Sequence, residues 1–183
     1  MLTAIAAVDQ NWNIGRDGQL LISIPDDMRF FRQATKGRTV IMGRKTLESF
    51  PGGKPLKGRV NIVLSRSMAC GETQIDETTK LIVLPGVDEL QSYIEAHRSG
   101  RSARLCADDD IFVIGGGQIY RRLLPMCGRA LITYVRHSFE GADTSFPDLD
   151  ADPAWNCVQE RGVQEYDGLR FSFRTYINAS SLW

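Results

Sequence analysis

Apolar and polar positions divide the chain into short continuous apolar runs and longer stretches with helical spacing. The runs are rich in Val and Ile, which favours strands covered on both faces of a sheet; they span residues 2–8, 38–42, 60–64, 81–84 and 111–114. The stretches between them predict helices over residues 26–36, 44–50, 87–98 and 118–124. This alternation is typical of an α/β fold with a largely parallel sheet.

The last part of the chain follows a different pattern. Residues 129–136 form one more strand-like run, and side chains from Phe171 to Ile177 alternate in character with a period of two. That period is typical of a strand with one buried face. Asp167-Gly168, just before it, is a hairpin-turn signal. The sequence therefore predicts an antiparallel hairpin at the sheet edge.

Length and composition fit one soluble globular domain. The 183 residues are 43% hydrophobic and 24% charged, which allows a core without metal or disulfide support. The 22 basic and 22 acidic residues give a formal net charge of zero. No general attraction to nucleic acid or to an anionic membrane is therefore expected, and an anionic ligand must be held by local basic residues.

The cysteines indicate neither a metal site nor a redox motif, because none belongs to a CxxC pair; they are Cys70, Cys106, Cys127 and Cys157. The N-terminus does not resemble a signal peptide, and no apolar run reaches the ~20 residues of a membrane helix. A cytoplasmic protein with reduced thiols is expected. Asp108-Asp109-Asp110 suggests a metal site at first, but adjacent side chains point in different directions, so no metal is expected.

The start of the first predicted helix is the most informative local feature. Ser23 and Asp26 resemble a capping box, and Pro25 fits a first helical turn. Helical spacing places Asp27 on a stripe that is otherwise apolar; the other members are Ile24, Met28, Phe31 and Ala34. A carboxylate there is costly unless paired or protonated, and desolvation should raise its pKa. Two interpretations stay open: Asp27 pairs with a helix N-terminus or a distant Arg, or it serves proton transfer or binds a cationic heterocycle.

Three glycines follow the strand at 111–114 and open the next predicted helix. Gly115, Gly116 and Gly117 would let the backbone approach a ligand closely, and N–H groups at a helix start suit a phosphate. Their spacing is not that of the dinucleotide fingerprint GxGxxG. A purely structural left-handed turn explains the glycines equally well.

Hydroxyls and cations follow two further strands. The motif Gly-Arg-Lys-Thr at 43–46 does not match a P-loop, because Arg44 stands between the glycine and the lysine. With Ser65 and Arg66, which end the next strand, it would suit an extra phosphate such as that of NADP. Solvated loop cations remain the alternative.

Taken in order, these motifs resemble the dihydrofolate reductase family from about Thr3 to Tyr176. The matching segments are Ile5-Ala6-Ala7 with Asn13-Ile14-Gly15, Ile24-Pro25-x-Asp27-Met28 with Phe30-Phe31, residues 40–49, Gly58-Arg59-x-Asn61 with residues 62–66, Ile114-Gly115-Gly116-Gly117-x-Ile119-Tyr120, and Asp143-Thr144-x-Phe146-Pro147. The stretches 40–49 and 58–66 are highly specific. Six motifs in the family's order argue against coincidence.

The resemblance implies a site for dihydrofolate and for antifolate inhibitors. Asp27 would bind the pterin and support protonation of N5, and Thr133 would bond to Asp27 or to the pterin amino group; these two are the candidate catalytic residues. Arg59 would grip the glutamate α-carboxylate as a bidentate pair. The candidate substrate-binding residues are Ile5, Ala6, Asp27, Met28, Phe31, Phe50, Leu56, Arg59, Ile114 and Thr133.

The resemblance also implies NADPH as cofactor. Arg44, Ser65 and Arg66 would hold the adenosine 2′-phosphate, which favours NADPH over NADH. Gly116 and Gly117 would approach the pyrophosphate, and a cis peptide is expected at Gly115–Gly116. The candidate cofactor-binding residues are Ala7, Ile14, Gly43, Arg44, Lys45, Thr46, Leu64, Ser65, Arg66, Ile114, Gly115, Gly116, Gly117, Gln118, Ile119 and Tyr120.

For the fold, the resemblance implies one domain over residues 1–183. It would have an eight-stranded, mostly parallel central sheet, a C-terminal antiparallel hairpin, about four flanking helices and a short tail at 177–183. The implied function is NADPH-dependent reduction of 7,8-dihydrofolate to tetrahydrofolate, with hydride to C6 and a proton to N5, in support of one-carbon metabolism. A monomer is expected, because the edge hairpin shows no obvious apolar patch in the sequence.

The sequence departs from the family pattern in four places, one of which is Gly52-Gly53, a pair that lengthens the loop before Arg59. Ile22 stands where the family usually has Trp, so water placement near Asp27 and antifolate affinity are expected to differ. The segments 67–80 and 99–110 look longer than in compact members and are expected to be surface loops.

Two other functions are considered. The NADPH reductase of riboflavin biosynthesis shares much of this fold, but it should lack the combination of Asp27 and Arg59. A non-catalytic relative would be expected to lose the carboxylate or the cofactor cations.

Overall fold

The computed structural model describes residues 1–98 and 111–180. Its strands, in chain order, are β1 Leu2–Val8, β2 Asn13–Arg16, β3 Gln19–Leu20, β4 Thr39–Gly43, β5 Val60–Leu64, β6 Gly71–Asp76, β7 Thr79–Leu84, β8 Ile111–Gly115, β9 Cys127–Val135, β10 Thr144–Ser145, β11 Trp155–Tyr166 and β12 Leu169–Asn178. The α-helices in these ranges are α1 Pro25–Thr35, α2 Arg44–Ser49, α3 Val87–Arg98 and α4 Gly117–Leu123.

Nine of these strands form one mixed sheet in the order β11-β12-β9-β1-β8-β4-β5-β7-β6, and β10, β2 and β3 form a small second sheet. Strand β1 pairs in parallel with both β8 and β9, β4 with both β8 and β5, and β5 with β7. The strands β6, β11 and β12 are antiparallel to their neighbours. The predicted α/β fold with a mostly parallel sheet, four helices and a C-terminal hairpin is confirmed.

The predicted number of eight strands in the sheet is one too few, because β6 pairs with β7 inside the segment 67–80 that was expected to be a loop. All six residues of β6 are exposed. An edge strand without a buried face leaves no alternation of apolar and polar residues in the sequence. The other long segment, 99–110, lies outside the described residues, together with Cys106, Asp108-Asp109-Asp110 and the last three residues.

The two faces of the sheet carry two separate apolar clusters. Along β4, Ile41 belongs to one cluster, whereas Val40 and Met42 belong to the other, as the two-residue period of a strand requires. The Ile41 cluster includes Leu90 of α3 and Leu123 of α4. The Met42 cluster includes side chains of α1 and α2. Two helices therefore cover each face.

Helix α1 begins at Pro25, one residue before the predicted range, and Pro25 lies in the first turn as predicted, but the predicted capping box is absent. Ile24 is the N-cap residue and makes no side-chain cap, because an apolar side chain has no acceptor. Ser23 lies one position too early, and Asp26 forms an ion pair with Arg29 at 2.8 Å on the outer side of the helix. Two carboxylates in the first turn still favour the helix through its dipole.

The C-terminal hairpin turns at Asp167 and Gly168, which both have positive φ, 49° and 72°. Such a pair of left-handed residues matches the twist of the flanking strands. The predicted tail at 177–183 is wrong at its start, because β12 continues through Asn178. The Asn178 side chain is buried and donates a hydrogen bond to the Cys127 carbonyl at 3.1 Å.

The hairpin does expose apolar side chains, contrary to the premise of the monomer prediction. These are Val158, Val163, Tyr166 and Ile177. Register shifts in β11 between Cys157 and Gln159 and between Arg161 and Gln164 interrupt the edge that another strand would pair with. The oligomeric state stays a prediction. No helix within the described ranges is long and apolar enough to cross a bilayer.

Candidate active site

The parallel strands bring most candidate residues to one edge of the sheet. Because β1, β4, β5 and β8 run in the same direction, their carboxyl ends meet there, the usual position of a ligand site in such folds. Ala7, Gly43, Leu64 and Gly115 lie at these four strand ends. Thr133 joins them, because it is paired with Ala7 in the parallel register of β1 and β9.

The Asp27 carboxyl group on α1 meets the Thr133 hydroxyl on β9. Thr133 Oγ1 donates a hydrogen bond of 2.6 Å to Asp27 Oδ1. Burial raises the pKa of Asp27 above its ordinary value of 3.8, and the bond from Thr133 partly opposes this rise. The hydrogen-bond partner of Asp27 is thus a neutral hydroxyl and not a cation. The protonated form of Asp27 is therefore more favoured here than it would be in water.

Apolar side chains from several elements form one surface beside this carboxyl group. Ile5 of β1 is buried, and four half-buried side chains pack in the same cluster: Phe31, Phe50, Leu56 and Ile114. Phe31 lies one helical turn after Asp27, on the same stripe of α1. Half of the predicted substrate-binding residues therefore form a single apolar wall, while Ala6 and Met28 are half-buried as well.

Arg59 is a buried guanidinium that is fixed by two bonds. Its Nε donates to Thr35 Oγ1 at 2.9 Å and its Nη1 donates to the Lys57 carbonyl at 2.8 Å. Thr35 Oγ1 in turn donates to the Phe31 carbonyl at 2.8 Å. Burial, with a contribution from nearby Arg32, lowers the pKa of Arg59. An anion would relieve that cost.

Thr35 was not found by sequence reasoning. A buried threonine at a helix end is a weak signal, and the Arg59 side chain that it holds is 24 positions away.

The loop that carries Leu56 is also fixed by a residue that the prediction did not use. Asn61 Oδ1 accepts from the Leu56 amide at 2.8 Å, and Asn61 Nδ2 donates to the Leu56 carbonyl at 3.0 Å.

The three glycines at 115–117 do not share one role. A Cβ on Gly115 would lie 3.0 Å from the Tyr120 ring, and one on Gly117 would lie 3.0 Å from the Ser145 carbonyl oxygen. Close packing within the protein therefore explains these two. At Gly116 the nearest atom would be Thr46 Oγ1 at 3.4 Å, an ordinary contact, which leaves space for a ligand to approach. The expected cis peptide at Gly115–Gly116 is present.

Helix α4 is held against the strand ends by two of the candidate residues. Tyr120 is buried, and its hydroxyl donates to the Ile5 carbonyl at 2.6 Å. Burial and the nearby Asp27 carboxylate both raise the pKa of Tyr120. Ile119 packs over Gly43, where a Cβ would lie 3.1 Å from its Cγ1. Gln118, by contrast, is exposed.

The predicted phosphate-binding residues lie side by side, because Gly43 and Leu64 are partners in the register of β4 and β5. Arg44 follows the first strand and Ser65 and Arg66 follow the second. Ser65 Oγ accepts from the amides of Ser67 at 3.2 Å and Met68 at 3.1 Å, so this hydroxyl is fixed. Lys45 and Arg66 are exposed. Two neighbouring ends with cations and a hydroxyl fit a phosphate group.

Arg44 already has an acidic partner within its own helix, since its guanidinium is paired with Glu48 one turn later. Both side chains are substantially exposed, and such surface pairs contribute little to stability. A phosphate at this position would therefore compete with a weak internal pair.

Ile22 stands where the family that this sequence resembles usually has Trp, and its side chain is half-buried. It packs with Phe139 against a cluster of Ile24, Val135 and Phe171. Ile14, on strand β2, is nearly fully buried and its carbonyl accepts from the Leu21 amide at 3.4 Å.

Comparison with known proteins agrees with this arrangement. The family model for dihydrofolate reductase matches residues 1–178. The chain belongs to the dihydrofolate reductase family. Its predicted membership in this class of oxidoreductase enzymes is confirmed.

Relatives of several kinds share this family. The chain is 34% identical over 166 residues to the dihydrofolate reductase of Bacillus subtilis, with 90% of this chain and 86% of that protein covered. It is 32% identical to the bifunctional dihydrofolate reductase-thymidylate synthase of Glycine max, with 97% of this chain covered. The chain spans only about a third of the length of that bifunctional relative, 33%.

A solved structure in the family has the same fold. It is the dihydrofolate reductase of Enterococcus faecalis complexed with NADP(H) and RAB-propyl, 28% identical, with a TM-score of 0.74. The match covers 97% of this chain and 96% of that one. The reductase fold of this family therefore extends over nearly the whole chain.

Proposed function

We propose that this chain catalyses the NADPH-dependent reduction of 7,8-dihydrofolate to 5,6,7,8-tetrahydrofolate. The observation that carries the proposal is the bond from Thr133 to the Asp27 carboxyl group, which lies on the apolar stripe of α1. A carboxyl group in an apolar pocket can bind an amino-substituted, protonatable ring, and it holds its proton to higher pH than a solvated carboxyl group does.

In this proposal Asp27 and Thr133 act on the pterin ring. The two carboxylate oxygens of Asp27 accept from the pterin amino group and a ring nitrogen, while Thr133 keeps the carboxyl group in one orientation. Asp27 also supports the proton that N5 acquires, directly or through water. Phe31, Phe50 and Leu56 pack against the rings and exclude water.

Arg59 serves the other end of the substrate. Its guanidinium is held by Thr35 and by the Lys57 carbonyl, which leaves N–H groups to bind the glutamate α-carboxylate. The bonds from the protein fix the orientation of the fork before the substrate arrives, so little side-chain freedom is lost on binding.

NADPH is the proposed cofactor, and when bound it supplies the hydride that is added to C6. Arg44, Ser65 and Arg66 fit its 2′-phosphate, and Gly116 has the space for its pyrophosphate. Ala7, Ile14 and Tyr120 surround the proposed nicotinamide position. The Enterococcus faecalis relative in complex with NADP(H) supports this assignment.

Several finer predictions accompany the proposal. Tetrahydrofolate from this reaction would serve one-carbon metabolism in the cytoplasm, and antifolates would bind at Asp27. The protein is proposed to act as a monomer. The combination of Asp27 and Arg59 argues against the riboflavin-pathway reductase, which should lack it.

The test is a turnover assay at the NADPH absorbance band with purified protein, dihydrofolate and NADPH. Asp27→Asn should lose most of the rate at neutral pH, about 100-fold or more. Asp26→Asn is the matched control, because that carboxylate lies on the outer side of the same helix turn and should leave the rate unchanged. If NADPH binds but none of the proteins consumes it with dihydrofolate, the proposed function is wrong.

A further inference from the structure

Asp9 is a buried carboxylate that the proposed reaction does not use. It comes directly after β1 and is only 1% exposed. Its Oδ1 accepts from the amides of Asn11 and Asn13, both at 2.8 Å. Its Oδ2 accepts from Asn13 Nδ2 and from the Phe139 amide, both at 3.2 Å. The two oxygens therefore have different tasks.

The first oxygen shapes a local turn. Two backbone bonds complete this turn over residues 9–13. The Asp9 amide donates to the Asn13 carbonyl at 3.0 Å, and the Trp12 amide donates to the Asp9 carbonyl at 3.0 Å. Trp12 has φ of 60°, a left-handed conformation that is uncommon for a bulky residue. The turn therefore has one defined conformation that several hydrogen bonds maintain.

The Trp12 ring anchors that turn in the core. It lies against Tyr134, Phe146 and Tyr176, with ring centroids 6.0–6.3 Å apart. The Trp12 carbonyl also accepts from the Phe146 amide at 2.8 Å. One side of the turn is thus fixed by aromatic packing.

The second carboxylate oxygen fixes the other side, across to the segment that follows β9. Besides the Phe139 bond, the Gln10 amide donates to the His137 carbonyl at 3.0 Å, and Asn11 Nδ2 donates to Ser138 Oγ. Among these contacts the Asp9 bond is the one made by a buried, charged acceptor. Charge-assisted bonds of this kind are stronger than neutral ones.

The Asp9 link borders the proposed cofactor site. Asp9, Asn13 and Phe139 line one small cavity together with Ala7, Ile14 and Ile22. Ala7 and Ile14 are two of the residues that the proposed function places at the nicotinamide. If Phe139 moved away from Asp9, the cavity wall that it shares with Ala7 and Ile14 would therefore move as well.

We infer that Asp9 is a positioning residue, whose bond to the Phe139 amide holds the segment with Ile14 in the arrangement that receives the nicotinamide end of NADPH. The inference rests on the proposed function. The role needs a carboxylate, because both oxygens must accept. An asparagine has one acceptor oxygen, and its NH₂ group would face the donating Phe139 amide.

Asp9→Asn is accordingly a selective change. Its Oδ1 can still accept from the two turn amides, whereas the acceptor for the Phe139 amide and for Asn13 Nδ2 is lost. Asp9→Ser is a second variant with the same purpose, since a serine hydroxyl can also accept from the amide two residues on. Asp76→Asn is the matched control, because Asp76 caps the exposed β6–β7 turn through Thr78, at the far edge of the sheet.

The experiment combines three measurements on the full chain. Hydrogen exchange without ligand should show faster exchange at Phe139 and in 137–139 for Asp9→Asn, with 9–13 changed less. The dissociation constant for NADPH, measured by its fluorescence, should rise about ten-fold, as for loss of the acceptor of a partly buried donor. The isotope effect on kcat with deuterated NADPH should increase, while dihydrofolate binding stays within about two-fold.

The outcomes separate the two claims. If the wild type does not reduce dihydrofolate, the proposed function fails, but hydrogen exchange and NADPH affinity still decide the role of Asp9. If Asp9→Asn and Asp9→Ser bind NADPH like the wild type, the inference is wrong. It is also wrong if affinity for NADPH and dihydrofolate falls equally with a lower melting temperature, because that indicates a merely structural role.

Discussion

The Thr133 hydroxyl donates a 2.6 Å hydrogen bond to Oδ1 of Asp27, from a strand 106 residues further along the chain. This bond joins β9 to α1. Burial of Asp27 and donation by Thr133 act in opposite directions on the pKa of the carboxyl group. Burial has the larger effect, so the pKa of this carboxyl group lies above its ordinary value.

Thr133→Val should upset that balance. Valine has nearly the shape of threonine but no hydroxyl, so the pKa of Asp27 should rise further. The inflection linked to Asp27 in the pH profile of kcat is expected to move to higher pH, and kcat/KM for dihydrofolate should fall about ten-fold. Thr133→Ser keeps the donor and serves as the control. An unchanged pH profile in Thr133→Val would contradict the role assigned to this bond.

Asp27→Asn should make the protein more stable at neutral pH. Because the folded-state pKa of Asp27 is raised, its favourable contribution is complete below the unfolded value near 3.8 and is lost as pH rises through the folded pKa. Asparagine does not ionise, so the variant does not lose this stability as pH rises. We expect it to gain about 0.5–2 kcal/mol in unfolding free energy at pH 7.

Urea unfolding of both proteins across pH would measure this effect. The difference between variant and wild type should be smallest near pH 4, should grow as pH rises and should level off above the folded pKa. A constant difference at all pH values would show that the ionisation of Asp27 is not its cause.

The local half of the site could be predicted from the sequence. The stripe containing Asp27 follows from the 3.6-residue period of one helix, and Ser65 and Arg66 follow a strand whose apolar run is continuous. Such features depend on neighbours within a few positions. The place of Pro25 in the first turn of α1 was predictable for the same reason.

The other half depends on contacts between distant segments. The Thr35 bond to Arg59 and the Asp9 bond to Phe139 join residues that no local period relates. The fully exposed β6 carries no pattern, and its place is decided by pairing with β7. Ser23 failed as a cap because the helix begins one residue later, and a shift of one position is within the uncertainty of helix ends.

Arg59→Lys should weaken substrate binding more than catalysis. Lysine keeps the charge but cannot donate the planar pair of bonds or replace the Nε bond to Thr35. We expect KM for dihydrofolate to rise about 30-fold while kcat stays within about two-fold. Steady-state kinetics with dihydrofolate and with an analogue lacking the glutamate would measure this. Equal losses for both compounds would contradict the assignment of Arg59 to the carboxylate.

Thr35→Val provides a milder version of the same test. It removes the oxygen that accepts from Arg59 Nε, so the guanidinium keeps its charge and its bond to the Lys57 carbonyl but has more freedom to rotate. KM for dihydrofolate is expected to rise about three- to ten-fold. In the Arg59→Lys background the additional effect of Thr35→Val should be small, because the two residues act as a pair. Independent, additive effects would argue against this coupling.

Arg44→Gln should reduce the preference for NADPH over NADH. Removing one cation from the ends of β4 and β5 should raise KM for NADPH about ten-fold and leave KM for NADH nearly unchanged, since only NADPH carries the 2′-phosphate. The opposite change, Glu48→Gln, removes the internal partner of Arg44 and should lower KM for NADPH slightly. Both effects should shrink as salt is added, because these side chains are exposed. If Arg44→Gln raised KM for both cofactors equally, Arg44 would contact a part of the molecule that NADPH and NADH have in common. Ser65 and Arg66 alone would then remain to bind the 2′-phosphate.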